Sequence, residues 1–275
     1  MFDLLFQYDL QTHLTAFVFG SVRLAAFAAA APFMGNAVLN GTAKTALVAS
    51  LYLMVHPLVL ASLPFSHPMT GEDALLLGAL IMKEVFVGFV LGWLAGLAFW
   101  AVESAGAFID NQRGAGMASE TNILSGDQST PTGGFLFMST TYAFFASGTF
   151  FAFVALLYST YEFWPVEAFL PAEFFTKEGA AAFFGERLSV LAVNIMLISA
   201  PVVLACLFTD IALGLVNRFA SQLNVYVLSL PIKSALASFL LIFYFAVLMT
   251  DAPERFAAFG IDVSALRAVS YTHLR

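Results

Sequence analysis

The chain is poor in charge and nearly free of cysteine. Asp, Glu, Lys and Arg make up 11% of its 275 residues, about half of what a soluble chain carries. A string of soluble domains is therefore excluded. One cysteine, Cys206, lies in an apolar run, where it reads as a small core residue. It excludes an internal disulfide framework and a cysteine-rich metal site. The four histidines, at positions 13, 56, 67 and 273, are scattered, and no His-Glu-x-x-His helix is present to support metal catalysis. A Walker-type phosphate loop and a Gly-x-Ser-x-Gly elbow are also missing, so ATP hydrolysis and serine esterase chemistry have no visible parts. Asp110 and Asp210 are the imaginable members of an intramembrane aspartyl pair, but neither sits in a recognisable catalytic context. The formal net charge of -7 argues against nucleic acid or anionic lipid as a partner, because both attract basic surfaces. No catalytic residue, metal or cofactor is expected.

What the chain does have is apolar surface: 60% hydrophobic residues, 31 of them Phe, and a mean hydropathy of +0.88. This composition implies an all-α, polytopic membrane protein. Six hydrophobic blocks run approximately over 14–33, 43–63, 74–102, 135–157, 188–208 and 235–249. A span needs about 20 residues, so the sixth block is short, and the third is long enough to tilt or to extend beyond the hydrocarbon. Ala28 to Ala31 resembles a signal-peptide cleavage site. The segment before it is acidic (Asp3, Asp9), however, and Arg23 interrupts its apolar core, so an uncleaved membrane helix is expected. Residues 270–275 lack periodicity and resemble a cloning or sequencing scar, leaving 1–269 as a single membrane domain. Between the fifth and sixth blocks lies a semi-polar stretch from Asn217 to Ser234, expected to end at Pro231. Lys and Arg favour cytoplasmic loops, but six simple spans place Lys44, Arg113, Arg218 and Lys233 on one side and Lys177, Arg187, Arg255 and Arg267 on the other. That balance sets no orientation.

Several charges sit within or beside the blocks: Arg23, the adjacent Lys83 and Glu84, Glu103 and Asp210. Each costs at least about 2.5 kcal/mol at a bilayer centre, so they are expected to face protein or water. Internal ion pairing or snorkelling is the plain reading and an ion-coupling site the sharper one. Gly88, Gly92 and Gly96 recur every fourth residue along one helix face, which lets another backbone approach closely. The spacing does not say whether that neighbour belongs to this chain.

The strongest contrast is a polar island from Glu103 to Gly134, rich in Gly, Ser and Thr. Its peptide groups cannot lie unpaired in lipid, so it must be in water, buried in protein or lining a cavity. Phe108, Ile109, Met117, Ile123 and Leu124 are apolar residues within it, a mix that suits a loop folded into a pore. The run Phe108-Ile109-Asp110-Asn111-Gln112-Arg113-Gly114, followed by Ala115 to Ser119, Ser125-Gly126 and Pro131, resembles the central loop of the T-type subunit of type III secretion export apparatuses. This is the SpaR/YscT/HrcT group, related to flagellar FliR. Ser199-Ala200-Pro201, Asp210, Asn217-Arg218-Phe219-Ala220, Gln222-Leu223-Asn224 and Pro231-Ile232-Lys233-Ser234 resemble its C-terminal signature. The resemblance covers about Phe17 to Thr250. One departure is Asn122-Ile123, where the group more often has an acidic residue or Asn followed by Pro.

The resemblance implies an export-gate component of the bacterial inner membrane, assembled with R-type and S-type subunits and alongside U-type and V-type subunits. Membrane lipid and unfolded secretion substrates in transit would be further partners. It also implies projection to the periplasmic side and a plug over roughly 108–130 that closes the channel. Phe108, Ile109 and Met117 would then fill the pore, Asn111 and Gln112 would belong to the same stretch, and Asp110 and Arg113 would either gate or staple the loop. Arg23, Lys83, Glu84, Glu103, Asp210, Asn217, Arg218 and Lys233 would serve assembly. Two other classes compete: an ion-coupled secondary transporter using Lys83, Glu84, Glu103 or Asp210, and a scaffold without pore contact.

Overall fold

The structure is a computed structural model that describes residues 10–62, 71–115, 120–121, 128–169, 181–220, 222 and 224–271. It contains α1 (Leu10–Ala30), a 3-10 turn (Pro32–Met34), α2 (Gly41–Ala61), α3 (Gly71–Gln112), β1 (Glu120–Thr121), β2 (Gln128–Ser129), α4 (Pro131–Ala146), α5 (Thr149–Phe163), α6 (Ala182–Phe219) and α7 (Val225–Tyr271). Among the described residues the architecture is all-α apart from one short antiparallel ladder that pairs Glu120 with Ser129 and Thr121 with Gln128. Among the described residues, α1, α2, α3, α6 and α7 are long and apolar enough to cross a membrane, and α4 with α5 would make a sixth, bent span. A multi-pass membrane protein follows, with five candidate spans, or six if the bent α4–α5 pair counts as one.

Helix ends follow capping chemistry more closely than hydropathy. The Asn40 side chain accepts from Ala43 N at 2.8 Å to start α2, and Asn224 likewise accepts from Val227 N at 3.4 Å to start α7; both satisfy an amide that has no partner within its helix. The third block was expected to end near Val102, but α3 continues through Gln112. Residues 103–112 are polar yet contain no proline, and Gly106 alone does not stop a helix. The helix ends at Gly114, whose φ of +79° is the left-handed conformation that terminates helices. The fourth block, expected as one span, is broken between α4 and α5 with a 76° bend. Gly148 sits at the break with φ +74°. The fifth and sixth blocks lengthen into α6 and α7. Pro231 therefore lies in the second turn of α7 and does not end a connector; it forfeits one helix N–H there.

The chain divides into two compact units. One comprises Met1–Gly96, Phe150–Phe184 and Ala258–Arg275, the other Leu97–Thr149 and Gly185–Ala257. In the first unit α1 packs on α2, and Phe19, Phe27, Phe33, Tyr52 and Phe153 are buried. Gly88 and Gly92 face α1: a Cβ at Gly88 would lie 2.3 Å from the Arg23 carbonyl oxygen, and one at Gly92 would lie 2.6 Å from that of Phe27. The neighbour that the glycine spacing left open is thus α1 of the same chain. Gly96, also buried, ends this unit. In the second unit the same device recurs, with Gly106 of α3 meeting Gly133 of α4 backbone to backbone, 2.6 Å from a would-be Cβ to the Gly133 Cα. Ala101, Val102, Ala105, Leu136, Ile198 and Leu248 form a cluster beside it, and Phe99 packs edge-on against Phe144 at 5.3 Å.

Burial is uneven among the apolar helices. Within its hydrophobic window 61% of α3 is buried inside the protein, against 22% of α6 and 11% of α7. Helix α3 is the internal helix, while α6 and α7 carry wide apolar faces outward. Substituting Gly92→Leu is expected to lower stability by about 3 kcal/mol, because α1 and α3 cannot separate without disturbing what lies beside them. Thermal denaturation of the purified protein in detergent measures this, and Gly92→Ala should fall between the two.

Candidate functional site

Asp110 sits in the last turn of α3, fully buried, and reaches the first turn of α4 across the intervening loop. Its Oδ2 accepts from the backbone N–H of Thr132 at 2.7 Å, and its Oδ1 accepts from the Thr132 hydroxyl at 2.6 Å. Arg113, three residues on, donates from Nε to Oδ1 at 2.8 Å and from Nη2 to Thr132 Oγ1 at 2.9 Å. Carboxylate, hydroxyl and guanidinium thus close a ring of hydrogen bonds that fastens both ends of the loop. A carboxylate at a helix N-terminus also meets the positive end of the helix dipole. The remaining free amides of α4 are met locally: Thr130 Oγ1 accepts from Gly133 N at 3.2 Å, and Thr130 O from Gly134 N at 2.8 Å.

The seven-residue run does not present a single surface. Ile109 is 1% exposed and packs with Val202, Cys206 and Ala237 in a core cluster, so it is committed to packing, whereas Phe108 is 36% exposed. Asn111 is exposed and Gln112 half-buried. Gly114 lies against α7, where a Cβ would stand 2.4 Å from Leu230 Cδ2. Five of the seven, Phe108 to Gln112, belong to α3, so the connector proper starts at Arg113 and not at Glu103. Met117 lies outside the described residues. Thr132 was missed in the sequence, although Thr130-Pro131 marks a helix start and thereby leaves the next amide in need of an acceptor.

The internal charges are paired. Arg23 and Glu84 are both fully buried and joined in a bidentate pair, Nε to Oε2 at 2.6 Å and Nη2 to Oε1 at 2.9 Å. Arg23 also donates to Thr160 Oγ1 at 3.1 Å and to the Trp164 carbonyl at 2.7 Å, with its guanidinium 4.1 Å from the centre of the Tyr161 ring. Lys83 Nζ lies 2.5 Å from Glu84 Oε1 and donates to the carbonyls of Pro165, Val166 and Ala168 at 2.8, 3.0 and 3.1 Å. This cluster ties α1, α3 and α5 together. Both oxygens of Glu84 are occupied by cations, which favours structural pairing over ion carriage. In the other unit Lys233 pairs with Asp210 at 3.0 Å. Glu103 is half-buried, and Asn217 and Arg218 are exposed at the end of α6, where Arg218 suits the negative end of the helix dipole. No group of three or more His, Cys, Asp or Glu is placed to hold a metal ion among the described residues.

A family described as bacterial export proteins, family 1, matches residues 14–259. The chain belongs to this family. Within the bacterial export proteins it is similar to the Yop proteins translocation protein T of Yersinia pestis, 38% identical over 81% of this chain and 83% of the relative. It is also similar to the surface presentation of antigens protein SpaR of Salmonella typhimurium, 29% identical over 80% and 79% of the two chains. The flagellar biosynthetic protein FliR of Bacillus subtilis is 31% identical over 62% and 64%. These relatives place the chain in the T-type group of type III secretion export apparatus proteins, related to FliR, and none is named as an enzyme.

Both polar clusters generate expectations. Asp110→Ala leaves the Thr132 amide and the Arg113 guanidinium without their acceptor and is expected to cost about 3 kcal/mol of local stability. Faster amide exchange in the first turn of α4 measures it, with Asp110→Asn intermediate because it still accepts a hydrogen bond. Glu84→Gln leaves two neighbouring buried cations without a counter-charge and is expected to lower global stability by about 3–5 kcal/mol, read from thermal melting in detergent.

Proposed function

We propose that this chain is a non-enzymatic gating subunit of the type III export gate, contributing its 113–130 loop as a plug to a protein-conducting channel in the bacterial inner membrane. The observation that carries the reading is the Asp110–Arg113–Thr132 ring, which fastens both feet of the loop to the ends of α3 and α4. A barrier segment needs fixed feet so that displacement of its middle is reversible. The exposed Phe108 ring at the end of α3 supplies an apolar group of the kind that closes a pore by dewetting.

R-type and S-type subunits are the proposed neighbours, with U-type and V-type subunits alongside, and unfolded secretion substrates are the proposed cargo. The outward apolar faces of α6 and α7 support an assembly role. They must be covered by lipid or by protein, and projection of the assembled complex to the periplasmic side would favour protein. Ion-coupled transport is disfavoured, since three of the charges it would use, Lys83, Glu84 and Asp210, are engaged in internal ion pairs.

Replacing residues 115–129 by a short Gly-Ser linker is expected to leave co-purification with R-type and S-type subunits unchanged and to make the membrane leaky to ions. Ion flux measured in cells or proteoliposomes tests this. A membrane that stays tight with the complex assembled sinks the plug assignment.

A further inference from the structure

The turn that follows α5 directs its carbonyls at cations. Trp164 gives its carbonyl to Arg23 at 2.7 Å, and Pro165, Val166 and Ala168 give theirs to Lys83 Nζ at 2.8, 3.0 and 3.1 Å. A fourth oxygen, Glu84 Oε1, lies 2.5 Å from the same nitrogen. Glu167, the exposed acidic residue of the turn, adds negative charge nearby. All of these residues belong to one compact unit.

An ammonium has three N–H donors, yet four oxygens close on Lys83 Nζ. The enclosure is organised around a charge more than around three directional bonds. Carbonyl dipoles that converge on one point repel each other unless something positive stands between them, and Trp164 and Val166 are buried on either side of Pro165. Within the turn, the bond from Ala168 N to Pro165 O is long at 3.3 Å. The cation supplies the cohesion that this bond does not. The distances also give the class of ligand. Oxygen ligands stand about 2.0–2.1 Å from magnesium and about 2.3–2.6 Å from calcium, closer than any of the three carbonyls. Separations of 2.8–3.1 Å are those of N–H donors to oxygen.

We propose that the turn Trp164–Ala168, with Glu84, is a binding site for a primary ammonium, that the side chain of Lys83 is its resident ligand, and that the turn holds its shape only while the site is filled. Lys83 is then a positioning residue. It fixes the direction in which the chain leaves α5, and it does so as a tethered ligand that a free ligand of the same chemistry can replace. This role is independent of the plug reading, since no residue of the 113–130 loop takes part in it.

The test uses the full chain in detergent or nanodiscs at constant pH and ionic strength. Lys83→Ala removes the side chain beyond Cβ, which n-propylammonium matches atom for atom. Amide exchange at Trp164 and Ala168, which donate to Thr160 O and Pro165 O, is expected to rise about ten- to hundredfold in this variant, the weight of lost hydrogen bonds to a charged group. Added n-propylammonium is expected to restore most of the protection, saturating with concentration. Neither 1-propanol, which has the same skeleton without the charge, nor tetramethylammonium, which has the charge without N–H donors, is expected to do so. Lys83→Met fills the space of the stem and should lose the same protection without responding to the amine. Unchanged exchange in Lys83→Met, equal restoration of Lys83→Ala by 1-propanol, or no restoration by n-propylammonium overturns the site. Where Lys83→Ala does not fold alone, the yield of folded chain on refolding with n-propylammonium decides: a gain that 1-propanol does not give supports the site, and no gain overturns it.

Discussion

The close approach of α3 to α1 is the constraint on which much of the first unit rests. An arginine buried in an apolar protein is tolerable only when a carboxylate meets it with good geometry and its other donors are satisfied. Glu84 can meet Arg23 because Gly88, one turn further along α3, lets that helix come within contact of the Arg23 backbone carbonyl. The glycine spacing and the intramembrane charges, which look like separate features of the sequence, are therefore one feature. Glycine sets the distance, and the ion pair uses it. Thr160 and the carbonyls after α5 complete the cluster, so a third helix is tied to the first two by the same charges.

In the second unit a similar arrangement is built with different residues. Gly106 and Gly133 bring α3 and α4 into backbone contact, and one turn beyond Gly106 the Asp110 carboxylate takes the place that Glu84 has in the first unit. It too is fully buried, and it too gathers a cation and a hydroxyl. The consequence differs because the bonds here join the end of one helix to the start of the next and so close the loop between them. In one unit the polar cluster unites helices along their length; in the other it defines where a connector begins and ends.

Much of this was legible in the sequence. Among the described residues hydropathy located each helix long enough to cross a membrane, the glycine spacing identified the close-packed face of α3, and the cost of buried charge required that Arg23, Lys83, Glu84 and Asp210 find partners. Helix ends were less legible, because hydropathy reports the medium and not the backbone. Glu103 to Gln112 is polar yet helical, and the chain turns where Gly114 permits it. The break in the fourth block was hidden in an apolar run, marked only by Ser147 and Gly148. Partners drawn from the backbone are harder to read: the carbonyls around Lys83 leave no mark on side-chain pattern, and the Thr132 amide is signalled only by the Thr130-Pro131 helix start.

Those carbonyls set a limit on chemical substitution. Lys83 and Arg23 are both buried cations sharing Glu84, yet they are recognised in different ways. Around Lys83 three backbone oxygens, at 2.8, 3.0 and 3.1 Å, surround a compact ammonium much as a crown ether surrounds a potassium ion. Around Arg23 the acceptors match a flat fork, with two carboxylate oxygens aligned side by side. A rounded charge and a planar one select different cavities, so the two positions form a key and lock that cannot be exchanged even though the sum of charge would be unaltered.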